Sequence, residues 1–170
     1  MHTLQVTLRI IHIVGAVYWG GAIIFNAAFL FPAMREAGPD GAKVGAAIMR
    51  RHFTEITPVI ALLTIVAGLW LFMRASAGAG AHYMSTGPAI AYSIGGFAGI
   101  VALIIGATVM RPSMNKAMAL SQSAATSPPA ERERWLAAAQ ALRARAGKAG
   151  NVVSVLLVIA AVAMAVARYA

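Results

Sequence analysis

Four apolar runs, separated by segments that collect nearly all the charge, set the pattern of this chain: residues 6–31, 53–72, 88–110 and 152–166. A helix of about 20 residues spans the hydrocarbon core of a bilayer, and tilt reconciles the two longer runs with the two shorter ones. Backbone in lipid must satisfy its own hydrogen bonds, so each run predicts a transmembrane α-helix. Proline punctuates the pattern. Pro32 follows the first run, Gly87-Pro88 opens the third, and Arg111-Pro112 closes it. Residues 77–80, small and glycine-rich, read as a loop, and no internal repeat stands out.

The segment before the fourth run carries its own signal. Ser127-Pro128-Pro129 with Glu131 and Glu133 behind it predicts a helix starting near Pro129. Trp135, Leu136, Ala139, Leu142 and Ala146 then recur at helical spacing, which suits a helix lying on the membrane surface or one running straight into the fourth span. The expectation is an all-α, single-domain transmembrane four-helix bundle, residues 1–170, with a cytoplasmic helical extension before the fourth span.

Composition agrees. Hydrophobic residues make up 60% of the 170 positions and charged ones 11%, which removes water as the main solvent of the surface. Four spans leave no room for a separate soluble module, so any chemistry sits in or beside the bundle. The absence of cysteine excludes disulfides, thiolate metal sites, iron–sulfur clusters and covalently attached c-type haem. The first run continues past a signal-peptide core without a cleavage site at its end and reads as a retained span.

A net charge of +9 would suggest nucleic acid in a soluble protein, but its placement is topological. Eleven of the 14 Lys and Arg residues fall in residues 32–52 and 111–151, and only Arg9, Arg74 and Arg168 lie on the other side. The positive-inside rule therefore makes those two loops cytoplasmic and puts both termini outside, with no nucleic acid implied. The glycines add a packing expectation. Gly95, Gly96, Gly99 and Gly106 on the third span, with Gly15, Ala16, Gly20 and Gly21 on the first, predict a close crossing of those two spans, a face for homo-oligomer or larger-complex assembly, or room for a flat cofactor.

The chemistry-bearing residues are few. His12 lies inside the first span, where an ionisable group is costly and faces a cavity or a partner. It reads either as a ligand to haem iron or as a neutral imidazole bonded to a carbonyl or hydroxyl on another span. Tyr18, Trp19 and Asn26 line a porphyrin pocket in the first case and form bundle core in the second. His82, in the outer loop, is a candidate second axial ligand. With His2 and Met84 it also forms a sparse set suited to copper, or else an ordinary interfacial histidine. Arg50-Arg51-His52 with Glu55, Thr57 and Pro58 reads as a proton relay, an anionic headgroup site or an interfacial ion-pair anchor. Met110, Met114 and Met118 suit soft-metal transfer or core filling. No hydrolase set, phosphate loop, zinc signature or paired intramembrane carboxylates occur, so a hydrolase or nucleotide-driven pump finds no support.

Leu8-Arg9-Ile10-Ile11-His12-Ile13-Val14 leading to Trp19-Gly20-Gly21 resembles the first span of the HemJ and copper-resistance CopD superfamily of small membrane proteins. Met49-Arg50-Arg51-His52 with Thr57-Pro58, then Ala67-Gly68-Leu69-Trp70-Leu71, is similar to its second span, and the stretch from Arg143 to Tyr169 fits its ending. The resemblance implies a four-helix protein of the bacterial inner membrane that binds haem b through His12 and, in the HemJ branch, oxidises protoporphyrinogen. That branch opens its third span with a functional lysine, and residues 88–110 contain none. Three expectations result: haem b in electron transfer or haem metabolism, a non-enzymatic subunit of a larger membrane complex, and copper transport or resistance.

Overall fold

In a computed structural model that describes residues 2–80 and 82–170, the chain folds into four long helices and one short one. They are α1 (His2–Glu36), α2 (Pro39–Arg50), α3 (Phe53–Ala79), α4 (Gly87–Thr126) and α5 (Pro129–Val166). All but α2 are long and apolar enough to cross a membrane. Only 22% of the apolar window of each is buried within the bundle, and Val17, Phe29, Phe97 and Val155 are among the side chains left outside, so the bilayer must cover the remainder.

The long helices close a ring. α1 packs most closely on α3 and α4 on α5, while α1 with α5 and α3 with α4 complete the circle. Short connections make chain neighbours antiparallel, so the bundle is two helical hairpins set side by side. The close crossing expected between spans one and three is therefore replaced by two crossings within the hairpins. Gly15 of α1 lies against the Thr64 side chain of α3, and Gly95 of α4 lies against the Ala160 carbonyl and Met164 of α5. Gly20, Gly21, Gly96 and Gly106 touch nothing on another helix.

The helices outrun the apolar runs at several ends. Pro32 and Pro112 do not terminate their spans, because each follows a π-helical turn, Asn26–Leu30 and Gly106–Met110. Such a turn accommodates the missing N–H and the ring that would strike the carbonyl four residues back. Residues 77–79 continue α3 instead of forming a loop, since alanine favours a helix, and Gly80 ends it with φ 77°. The helix expected from Pro129 begins there and runs unbroken into the fourth span.

Past Pro112, α4 extends to Thr126 and packs on the first half of α5 through small residues: Ser113, Ala117 and Ala124 against Ala139, Ala146 and Ala149. This hairpin of the basic end projects about 24 Å along its axis. Arg132 Nε donates to the Ala124 carbonyl at 3.2 Å and Arg143 Nη2 to Ser121 Oγ at 2.8 Å, tying the two arms and satisfying one helix-end carbonyl.

The two hairpins place several features in the same register. Gly15 and Gly95, Ala22 and Ala102, Ala27 and Ala107, Pro32 and Pro112, and Met34 and Met114 are all 80 positions apart, as are the two π turns. Thr57, Ala61 and Thr64 match Val153, Leu157 and Ala160 at an offset of 96, and all six are buried.

Candidate functional site

The interior face of α1 carries His12, Gly15, Trp19, Ile23 and Asn26, spaced by three and four so that they fall on one stripe. His12 lies ten residues into α1, about 15 Å along its axis. Its Nδ1–H donates to the Thr64 carbonyl of α3 at 2.8 Å. The acceptor can only be the carbonyl, which puts a proton on Nδ1 and leaves Nε2 out of this bond. The ring lies in a notch formed by Gly68, where a Cβ would stand 2.5 Å from His12 Cε1 and 2.7 Å from Nδ1. Thr64 is itself fixed, its hydroxyl donating to the Ile60 carbonyl at 2.8 Å. Glycine at 15 and 68 thus makes the crossing close enough for an imidazole to bridge the two helices.

Trp19 and Asn26 are buried, at 5% and 6% exposure, on the same stripe. Tyr18, one residue from Trp19, is turned to the outside. His82 is exposed in the turn that precedes Tyr83–Ser85, Met84 is exposed within that turn, and His2 is exposed at the start of α1. Among the described residues no three His, Cys, Asp or Glu side chains are grouped to hold a metal. His82 stands exposed in its turn, whereas His12 is part-buried against α3.

His52 precedes α3 in a left-handed conformation, φ 57°, so Arg51 and His52 do not share a helix face with Glu55. His52 Nδ1 stands 3.8 Å from Glu55 Oε2, and both side chains are more than half exposed, which makes this an interfacial contact of little energy. Met110 and Met114 serve the interior: Met110 packs on the core cluster of Trp19, Ile23, Ala61, Ala102, Val153 and Leu157.

Sequence reasoning missed a second feature, a cavity of about 70 Å³ in the basic half of the bundle. Trp19 and Ile23 of α1, Thr57 and Ala61 of α3, Ala102, Gly106 and Arg111 of α4, and Val153 of α5 are among its walls. Neither this cavity nor the groove at Trp70, Met73, Arg74 and Ala77 reaches His12. A macrocycle needs several hundred Å³, so the central cavity is not a porphyrin slot. The signal for it was Pro58 directly after Thr57, which removes a helix hydrogen bond next to a hydroxyl.

Compared with known proteins, the chain matches no protein-family model, no curated protein and no solved structure.

Proposed function

We propose that this chain is a protein of the bacterial inner membrane, its basic end in the cytoplasm, that holds a b-type haem through His12 and acts in electron transfer or haem metabolism. The observation that carries the proposal is the bond from His12 Nδ1–H to the Thr64 carbonyl. Imidazoles that ligate metals characteristically spend one N–H in this way, which fixes the tautomer, orients the ring and raises the basicity of the other nitrogen. Nε2 is then the ligating atom. Trp19 and Asn26, on the same stripe, are the wall and polar contact nearest in register, while Tyr18 and His82 are not part of the set. When bound, haem b supplies one-electron chemistry at iron. The protein's own contribution is to orient the imidazole through the Thr64 carbonyl and to seat it in the Gly68 notch. The likeness of the first two spans to the HemJ and CopD superfamily supports the same reading, and the missing third-span lysine favours electron transfer over protoporphyrinogen oxidation.

A second reading rests on the Gly68 notch: the ring fills it, and its one N–H is satisfied, so a purely structural imidazole is also accounted for. Visible spectra of detergent-purified protein, expressed with haem supplied, separate the two. Haem ligation gives a Soret band that shifts on dithionite reduction and is lost in His12→Ala. A structural imidazole gives a colourless wild type, and His12→Ala then costs only about 0.6–1.7 kcal/mol of stability, the range of hydrogen bonds between membrane helices.

A further inference from the structure

The cavity in the basic half contains an unsatisfied group. Thr57 is 6% exposed and its Oγ1 has no hydrogen-bond partner among the described residues. Other hydroxyls within the helices are treated differently: Thr64, Thr108, Ser121 and Ser154 all donate to the carbonyl four residues back, at 2.7–2.9 Å. A buried hydroxyl without a partner costs about 1–3 kcal/mol, so an acceptor from outside the protein gains that much by entering. Next to it, Pro58 has no N–H to give the Thr54 carbonyl, and Thr54 also lines the space.

The remaining walls are apolar except for Arg111. The Thr57 hydroxyl and the Thr54 carbonyl offer a water two partners, so water is the occupant that a lipid ester displaces, while the apolar walls favour the lipid. Arg111 takes part in neither of the two ion pairs among the described residues. It opens the α-helical stretch that follows the π turn of α4, at the edge of the apolar run and within the basic end of the molecule. From that turn onward α4 packs on α5 and not closely on α3, so the two walls of the cavity diverge toward Arg111. An apolar interior, a hydroxyl donor part-way along and a guanidinium at the mouth match, in order, the acyl chain, ester carbonyl and phosphate of a glycerophospholipid.

We propose that the cavity is the docking notch for one anionic glycerophospholipid from the leaflet at the basic end, with the phosphate at Arg111, an ester carbonyl accepting from Thr57 Oγ1, and only the first methylenes of an acyl chain in the space of about 70 Å³ beside Ala61, the rest of the chain lying in the bilayer. Basic sites between membrane helices are suited to anionic headgroups, each Arg near the surface contributing about 1 kcal/mol. The site does not include His12, though Trp19 borders both, and the proposal holds whether or not haem is bound.

The test is titration of delipidated full-length protein in neutral detergent with phosphatidylglycerol or with phosphatidylcholine of the same chains, followed by thermal unfolding and native mass spectrometry. Phosphatidylglycerol is expected to bind one per chain and more tightly than phosphatidylcholine. Arg111→Gln should weaken phosphatidylglycerol about fivefold and erase that preference. Thr57→Val should weaken both lipids by a similar factor. Gly106→Leu should abolish binding, since Gly106 lines the cavity and a Cβ there meets nothing within 4 Å, and its thermal midpoint without lipid checks that it folds. Equal binding of the two lipids by wild type overturns the proposal, as does undiminished binding by Gly106→Leu. So does tight, saturable binding of a short-chain quinone that Arg111→Gln leaves unchanged, because a neutral carbonyl compound would then be the occupant.

Discussion

The two halves of the bundle solve the same packing problem in opposite ways. Around His12, glycines at 15 and 68 bring α1 and α3 into contact, and the His12 Nδ1–H and the Thr64 hydroxyl both have acceptors. Around Thr57, α3 and α4 stand apart, a hydroxyl is left alone, and glycine at 106 faces open space. Lipid gives apolar side chains little reason to leave it for one another, so close contact in a membrane comes from small residues and polar pairs. Where small residues come with a polar pair across the helices the bundle is shut; where small residues such as Ala61, Ala102 and Gly106 lack one it has room.

The sharpest way to break this contrast is to place the same side chain in both halves. Gly68→Leu must displace the His12 ring or part the helices, and the expected loss is about 3 kcal/mol, read as a fall in the thermal midpoint in detergent. Gly106→Leu meets no neighbour, replaces a glycine inside a helix, and should hold or raise stability by up to about 1 kcal/mol. Comparable losses from both would mean that the basic half is as tightly packed as the other.

The contrast between hydroxyls is finer. Thr57→Val removes a group without a partner and should be neutral or stabilising by about 1 kcal/mol in delipidated protein, whereas Thr64→Val removes a satisfied hydroxyl and should cost about 0.6 kcal/mol. Lipid should reverse the order for Thr57, because the wild-type hydroxyl then has an acceptor.

Much of this was legible in the sequence. Length and hydropathy sufficed for four membrane helices, and the Pro-Pro-Ala-Glu start placed the first residue of α5. His12 stood out because lipid penalises it, and the carbonyl bond was one of two outcomes expected for it. Proline misled at positions 32 and 112, since a π turn that absorbs it leaves no mark on composition. Glycine spacing revealed which helices have thin faces but not their partners, which chain connectivity decides. The cavity left only one mark in the sequence, Thr57 followed by Pro58, because most of its walls are ordinary apolar residues and their divergence in space creates it.

The function assigned to His12 is tested most directly by chemical rescue. His12→Gly leaves a space the size of the imidazole beside Thr64, and imidazole added to that variant, expressed with haem, should restore the reduced-minus-oxidised spectrum of the wild type in proportion to its concentration. A His12→Gly protein that binds haem fully without imidazole, or a wild type that binds none, would contradict the assignment.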